Sequence, residues 1–109
     1  MTTICIKKSE NGSYQSITCM GHAGYAGRGK DIVCASISIL VINTLNALEK
    51  FCDTQMDVME NESTGFIHCV FQNPLSKEEV LLIDTMIMGL EKISENYGKK
   101  YCELKFEEV

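Results

Sequence analysis

Hydrophobic and polar positions alternate in some stretches of this chain and follow a helical period in others. The alternating stretches predict five strands, at residues 2–8, 14–20, 55–60, 66–72 and 100–106. The helical spacing predicts two helices, at residues 31–51 and 76–97. Turn residues at Asn11-Gly12 and at 62–65 join the strands into two hairpins. The order ββαββαβ predicts a single α+β domain over residues 1–109, with one mainly antiparallel sheet packed with two α-helices.

The first predicted helix differs from the second in the distribution of its apolar side chains. Asp31 is placed to be its N-cap, and its first three turns are apolar nearly all round, which is typical of burial between two layers or at a subunit interface. Its second half is amphipathic, and the side chains predicted to face inward are Leu45, Leu48 and Phe51. The second helix begins with a capping box, Ser76 and Glu79.

The net charge and its distribution along the chain indicate which kinds of partner the protein can bind. The 109 residues have a formal net charge of −5, and the excess lies in residues 53–109, which hold twelve acidic residues against five basic ones. Such a surface repels phosphate backbones, so we expect no nucleic acid partner and favour a basic peptide or protein.

The N-terminal residues lack the apolar core of a signal peptide. The longest apolar run, residues 32–42, is interrupted by Ser36 and Ser38 and is shorter than the roughly 20 residues of a membrane span. We therefore expect a cytoplasmic protein without membrane association.

Six cysteines are spread along the chain with wide, irregular spacing, at positions 5, 19, 34, 52, 69 and 102. The absence of a C-x-x-C pair argues against a zinc ribbon and a thioredoxin-type redox pair, and we expect no metal and no cofactor. Without a secretory signal, we expect reduced thiols, most of them small buried hydrophobic residues.

The strongest candidate chemistry lies around the glycine-rich loop before the first helix. His22 precedes this loop, and Cys34 lies in the first helical turn, where unpaired amides and the helix dipole stabilise a thiolate. His22 could take the thiol proton and return it to a leaving amine, and the amides at the helix start could form an oxyanion hole. The alternative is a structural cysteine with a solvent-facing loop histidine, and the residues alone leave both open.

Three further residues have plain structural explanations. Asp31 is an N-cap, although it could also orient His22 or the loop. Ser38 lies one turn after Cys34 on the same helical face, where its hydroxyl could bond to the site or back to the helix backbone. His68, within the fourth strand, is expected to be a sheet histidine rather than a ligand or a base.

Residues 24–30 also imitate a phosphate-binding loop, since they fit G-x-x-x-x-G-K between a strand and a helix. The Ser or Thr that would hold magnesium is replaced by Asp31, and the Walker-B-like residues 80–84 follow the period of the second helix. Nucleotide binding is therefore the less favoured alternative.

The series Gly21-His22-Ala23, Gly29, Asp31-Ile32-Val33-Cys34-Ala35 and Ser38 resembles the signature of the Prp family, the ribosomal-processing cysteine proteases of bacteria. The length, the first hairpin, the apolar helix and the element order resemble the family over essentially the whole chain. Ser36 departs from the family pattern, which more often has Ala at this position.

The resemblance implies a cysteine endopeptidase with a dyad of Cys34 and His22. Its substrate would be the bacterial large-subunit ribosomal protein numbered twenty-seven, whose N-terminal extension is removed for ribosome assembly. The resemblance also implies a homodimer and supporting positions at Gly21, Asp31 and Ser38. A mobile substrate-binding lid would consist of Ala23, Gly24, Tyr25, Ala26, Gly27, Arg28, Gly29 and Lys30. A rival of another class is a non-catalytic adaptor that holds a ribosomal protein in the same groove.

Overall fold

The computed structural model describes residues 1–27 and 30–109. Over these residues the chain forms, in order, β1 Thr2–Lys8, β2 Tyr14–Met20, α1 Ile32–Cys52, β3 Met56–Asn61, β4 Phe66–Phe71, α2 Lys77–Tyr97 and β5 Cys102–Glu108. A short 3₁₀ helix, Glu62–Thr64, joins β3 to β4. The predicted α+β fold and its ββαββαβ order are confirmed.

The strands form one mixed sheet in the order β3-β4-β2-β1-β5. The pairings β1–β2, β2–β4 and β3–β4 are antiparallel, and β1–β5 is parallel. The parallel register pairs Thr2 with Cys102 and Lys8 with Glu108. Because β5 follows β1 along its whole length, it begins and ends two residues later than the apolar pattern predicted.

One face of the sheet and the buried stripes of both helices share a single apolar core. The sheet contributes Ile4, Ile6, Ile17, Cys19, Ile67 and Cys69. The helices contribute Val33, Ile37, Val41, Leu45 and Leu48 from α1 and Ile83, Met86, Ile87, Leu90 and Ile93 from α2. Burial of a large aliphatic side chain contributes roughly 1.5–3 kcal/mol, so this cluster is the main stabilising feature of the fold.

Within this single chain, helix α1 is buried along one stripe, so complete burial between two layers is not found and burial at a subunit interface stays a prediction. The buried stripe passes through Leu45, Leu48 and the half-buried Cys52, which leaves Phe51 on a neighbouring face, 74% exposed. The prediction that Phe51 faces inward is therefore wrong, and Ile39 in the apolar first half is also 68% exposed. By length and composition, α1 alone among the described helices could cross a membrane, but here its buried stripe belongs to the core.

Candidate active site

The chain between β2 and α1 brings His22 next to Cys34. Gly21 turns the backbone with a φ of 85°, and a Cβ at this position would lie 2.7 Å from the carbonyl oxygen of Met1, so only glycine fits. His22 follows this turn, and Cys34 is the third residue of α1. The Sγ atom of Cys34 lies 3.6 Å from Nδ1 of His22, within hydrogen-bonding distance for sulfur. The two candidate groups therefore meet, although twelve positions separate them along the chain.

The second ring nitrogen of His22 faces a backbone carbonyl. Nε2 lies 3.0 Å from the carbonyl oxygen of Ser63, in the 3₁₀ helix between β3 and β4. A carbonyl oxygen only accepts, so Nε2 must carry the hydrogen. In the neutral ring, Nδ1 therefore presents its lone pair to the thiol of Cys34. This is the tautomer that can accept the thiol proton.

Asp31 caps helix α1 and also holds the loop before it. Its Oδ1 accepts the N–H of Cys34 and its Oδ2 accepts the N–H of Tyr25, both at 2.9 Å. Desolvation by burial acts to raise the pKa of this carboxyl group, but the N–H donors, led by that of Cys34, outweigh it. The pKa of Asp31 is thus lowered from its ordinary value of 3.8. The predicted N-cap is confirmed, and one carboxylate ties the loop to the helix.

The N-cap uses one of the amides that the sequence suggested for an oxyanion hole. The N–H of Cys34 donates to the Asp31 side chain, whereas the N–H of Ala35 makes the ordinary first bond of the helix, to the Asp31 backbone carbonyl at 3.0 Å. The Cys34 amide is therefore not free to receive an oxyanion, and the prediction that amides at the helix start form the oxyanion hole stays a prediction for the others. The N-cap carboxylate has taken the Cys34 donor.

The glycine-rich loop packs against the C-terminal part of the chain through one aromatic side chain. The Tyr25 ring makes edge-to-face contacts with Tyr97 and Tyr101, with centroids 5.4 and 5.1 Å apart. Ala23 is buried in the core, and the N–H of Lys30 donates to the Gly27 carbonyl at 2.9 Å. Two predicted lid residues, Arg28 and Gly29, lie outside the described residues.

In the described part of the same loop, residues 24–27 and 30, a backbone amide that a phosphate would need is already bonded to a carboxylate. The amide of Tyr25 donates to the Asp31 carboxylate, which would repel a phosphate placed there. The Walker-B-like residues 80–84 lie within α2, as the helical period predicted.

A cavity of about 790 Å³ opens beside Cys34 and His22. The predicted site residues that line it are Gly21, His22, Gly24, Ala26, Asp31, Cys34 and Ser38. It is Ser36, not Ser38, whose hydroxyl donates back to the helix, to the Ile32 carbonyl at 2.6 Å. The role of Ser38 stays a prediction.

The opposite wall of the cavity was not predicted from the sequence. It is formed by β3, the 3₁₀ helix and β4, through Glu60, Asn61, Glu62, Ser63, Gly65, Phe66 and Ile67. The sequence marked 62–65 as a turn, but only the pairing of β2 with β4, which sets Cys19 opposite Ile67, brings that turn to His22. No local pattern could have indicated this contact.

The second histidine belongs to the sheet. Nδ1 of His68 lies 2.8 Å from Oγ1 of Thr18 on the paired strand, and its ring stacks on Phe66. The expectation of a sheet histidine is confirmed. Within residues 1–27 and 30–109, no group of three or more His, Cys, Asp or Glu side chains could hold a metal ion, and all six cysteines are free thiols.

Comparison with known proteins finds relatives that are similar to this chain over most of its length. The ribosomal processing cysteine protease Prp of Bacillus subtilis is 30% identical over 101 residues, which cover 89% of this chain and 90% of that protein. Its counterpart from Staphylococcus aureus is 27% identical over 99 residues, with 91% and 93% covered. The fold resembles the crystal structure of the S. aureus protease in complex with a covalently linked product peptide. The TM-score is 0.92 at 26% identity, and 98% of this chain and 100% of that one are covered.

The family model described as cysteine protease Prp matches residues 1–102 of the 109. With two such relatives and the same fold, the chain belongs to the Prp family of cysteine proteases.

Proposed function

We propose that this protein is an endopeptidase with a Cys34–His22 dyad that removes the N-terminal extension of large-subunit ribosomal protein twenty-seven. The observation that carries the proposal is the approach of Cys34 Sγ to His22 Nδ1, 3.6 Å, at the wall of a cavity of about 790 Å³. A thiol beside a correctly oriented imidazole, facing a cavity that admits peptide, is the arrangement that nucleophilic peptide cleavage requires.

In the proposed reaction, the Cys34 proton moves to Nδ1 of His22 and the thiolate attacks the scissile carbonyl carbon. The tetrahedral intermediate collapses as Nδ1 returns the proton to the leaving amine, which leaves an acyl group on Sγ. Water then adds to the thioester carbonyl as Nδ1 of His22 takes its proton, the bond between the acyl carbon and Sγ breaks, the acyl group leaves as a carboxylic acid, and Nδ1 returns the proton to the Cys34 thiolate. In every step, the N–H group at Nε2 stays hydrogen-bonded to the Ser63 carbonyl oxygen.

The substrate class is supported from two sides. The S. aureus and B. subtilis relatives are named ribosomal processing proteases, and the S. aureus enzyme has been crystallised with a covalently linked product peptide. In the present chain, the far wall of the cavity carries Glu60 and Glu62. Two exposed carboxylates that line the cavity suit a basic ribosomal protein as substrate.

The remaining parts of the site have roles in this proposal. Gly21 sets the turn before His22, Asp31 ties the loop to α1, and Ser38 lines the cavity. Residues 23–30 would act as the lid over the bound peptide.

We also propose that the protein works in the cytoplasm as a homodimer. The exposed apolar side chains of Ile39 and Met88 on the two helices support such self-association.

Incubation of the purified protein with the host's own precursor, read by intact mass, tests the reaction. We expect a single N-terminal cut by the wild type and none by Cys34→Ala. His22→Ala should be slower by about 100- to 10,000-fold, the usual contribution of a general acid–base residue. Native mass of the enzyme alone should show two copies. Equal precursor binding without a cut, by wild type and Cys34→Ala alike, would favour the adaptor instead.

A further inference from the structure

The turn between β3 and β4 is held by the side chain of Asn61. Its Oδ1 accepts both the backbone N–H of Ser63, at 3.1 Å, and the Ser63 hydroxyl, at 2.7 Å. Its own backbone carbonyl accepts the Thr64 hydroxyl at 3.3 Å. These bonds make Asn61 the N-cap of the 3₁₀ helix and hold Ser63 and Thr64, the two residues on either side of the carbonyl that faces His22.

The end of the same turn packs directly on the histidine. Gly65 adopts the left-handed conformation, with a φ of 66°, and its N–H donates to the Glu62 carbonyl. A Cβ at Gly65 would lie 2.5 Å from the Gly21 carbonyl oxygen and 3.3 Å from Cε1 of His22. The turn can approach the histidine this closely only because no side chain stands between them.

We propose that the Asn61–Gly65 turn is the third member of the catalytic apparatus, with Asn61 as the positioning residue. This inference rests on the proposed Cys34–His22 dyad. The turn presents the Ser63 carbonyl to Nε2 of His22, which selects the tautomer with its lone pair on Nδ1, towards Cys34. A backbone carbonyl thereby does the orienting work that a side-chain carboxylate or amide does in a catalytic triad.

The geometry also serves the charged state of the ring. When Nδ1 takes the thiol proton, both ring nitrogens carry hydrogens: one bonds to the Cys34 thiolate and the other to the Ser63 carbonyl. The carbonyl dipole stabilises the imidazolium without adding a full charge. Loss of the Asn61 cap would let the Ser63 peptide rotate, and His22 would then populate both tautomers.

Two measurements test the positioning role of Asn61, one of them independent of any substrate. Nitrogen-15 NMR of histidine-labelled protein reports the tautomer of His22, with His68 as an internal reference. Steady-state cleavage of the precursor reports kcat and KM separately. We expect the Nε2–H tautomer in the wild type. Asn61→Ala should give mixed tautomers and a kcat lowered by about tenfold or more, with KM little changed, as for other residues that orient a reacting histidine.

A matched control lies at the other end of the sheet. In the β1–β2 turn, Oδ1 of Asn11 accepts the Ser13 N–H at 3.1 Å and the Ser9 hydroxyl, so it receives the same two kinds of bond as Asn61, although from two serines rather than one. Asn11→Ala should lose similar stability but keep kcat and the tautomer. Asn61→Asp keeps both acceptor bonds and should restore most of the wild-type rate.

Three outcomes would overturn the inference: an Nδ1–H tautomer in the wild type, unchanged tautomer and kcat in Asn61→Ala, or an equal loss of kcat in Asn11→Ala. If the precursor is not cut at all, the substrate assignment fails while the NMR result still decides the tautomer. If His22→Ala cleaves at the wild-type rate, the dyad and this inference both fall.

Discussion

Cys34 and Cys52 lie at opposite ends of helix α1, and both are half-buried. Cys34 lies at the N-terminal end, with its Sγ atom 3.6 Å from Nδ1 of His22, and Cys52 lies at the C-terminal end. The other four cysteines are buried, and desolvation raises the pKa of each, to about 12 for Cys19 and about 11 for Cys69. Position therefore sets Cys34 apart from the other five cysteines, and we expect its thiol to be the most reactive of the six.

Iodoacetamide at neutral pH should accordingly alkylate Cys34 about tenfold faster than Cys52, because Cys34 has both the helix N-terminus and His22 beside it. Peptide mass mapping after short exposure measures both rates in one sample. His22→Ala should remove most of the difference, and the four buried thiols should label only after unfolding. Equal labelling of Cys34 and Cys52 in the native protein would contradict an activated nucleophile.

At the scale of elements, Asp31 joins the glycine-rich loop to helix α1, because its two carboxylate oxygens serve one element each. Its lowered pKa makes this link dependent on pH. The stabilisation that this link gives the folded state is present above the ordinary pKa of 3.8, which holds in the unfolded chain, and is lost as the pH falls through the lower folded value. An asparagine could still cap the helix, but its amide nitrogen could not accept the N–H of Tyr25.

We therefore expect Asp31→Ala to lower the free energy of unfolding by about 1 kcal/mol at neutral pH, through the lost cap, and Asp31→Asn to lower it less. Urea unfolding at neutral pH and at about pH 2 measures both effects. The advantage of the wild type over Asp31→Asn should shrink in acid. Glu91→Gln, an exposed change on α2, is the control and should show no such loss. An advantage that does not change with pH would contradict the role given to the carboxylate.

The elements with local signals were the ones that sequence could predict. Asn11-Gly12, the Ser76–Glu79 capping box and the Asp31 N-cap each encode their own turn or helix start, and each is found as expected. The contact between His22 and Ser63 spans 41 positions and depends on the pairing of β2 with β4, which no local pattern encodes. For the same reason, the cavity wall formed by β3, the 3₁₀ helix and β4 could be found only in the folded chain.

At the scale of the whole molecule, the net charge is −5, and acidic residues line the cavity as well. Glu60 and Glu62 line its far wall, Asp31 lies near the nucleophile, and none of the lining residues that the structure describes is Lys or Arg. The salt bridges among the described residues are Lys92–Glu95 and Lys105–Glu103. Neither of them includes Glu60 or Glu62. The cavity therefore offers two exposed carboxylates to a basic substrate.

Replacing both with glutamine should raise KM for the basic precursor by about threefold to tenfold at low salt, because each exposed ion pair contributes about 0.2–1 kcal/mol. The value of kcat should stay unchanged, since neither side chain hydrogen-bonds with His22 or Cys34. The difference in KM should fade as ionic strength rises and the Debye length contracts.

The matched control is Glu10→Gln with Glu91→Gln, which removes the same charge at exposed positions away from the cavity. An equal rise in KM in that control would assign the effect to the net charge of the molecule rather than to the cavity wall. No rise in either variant would mean that the precursor is recognised without its charge.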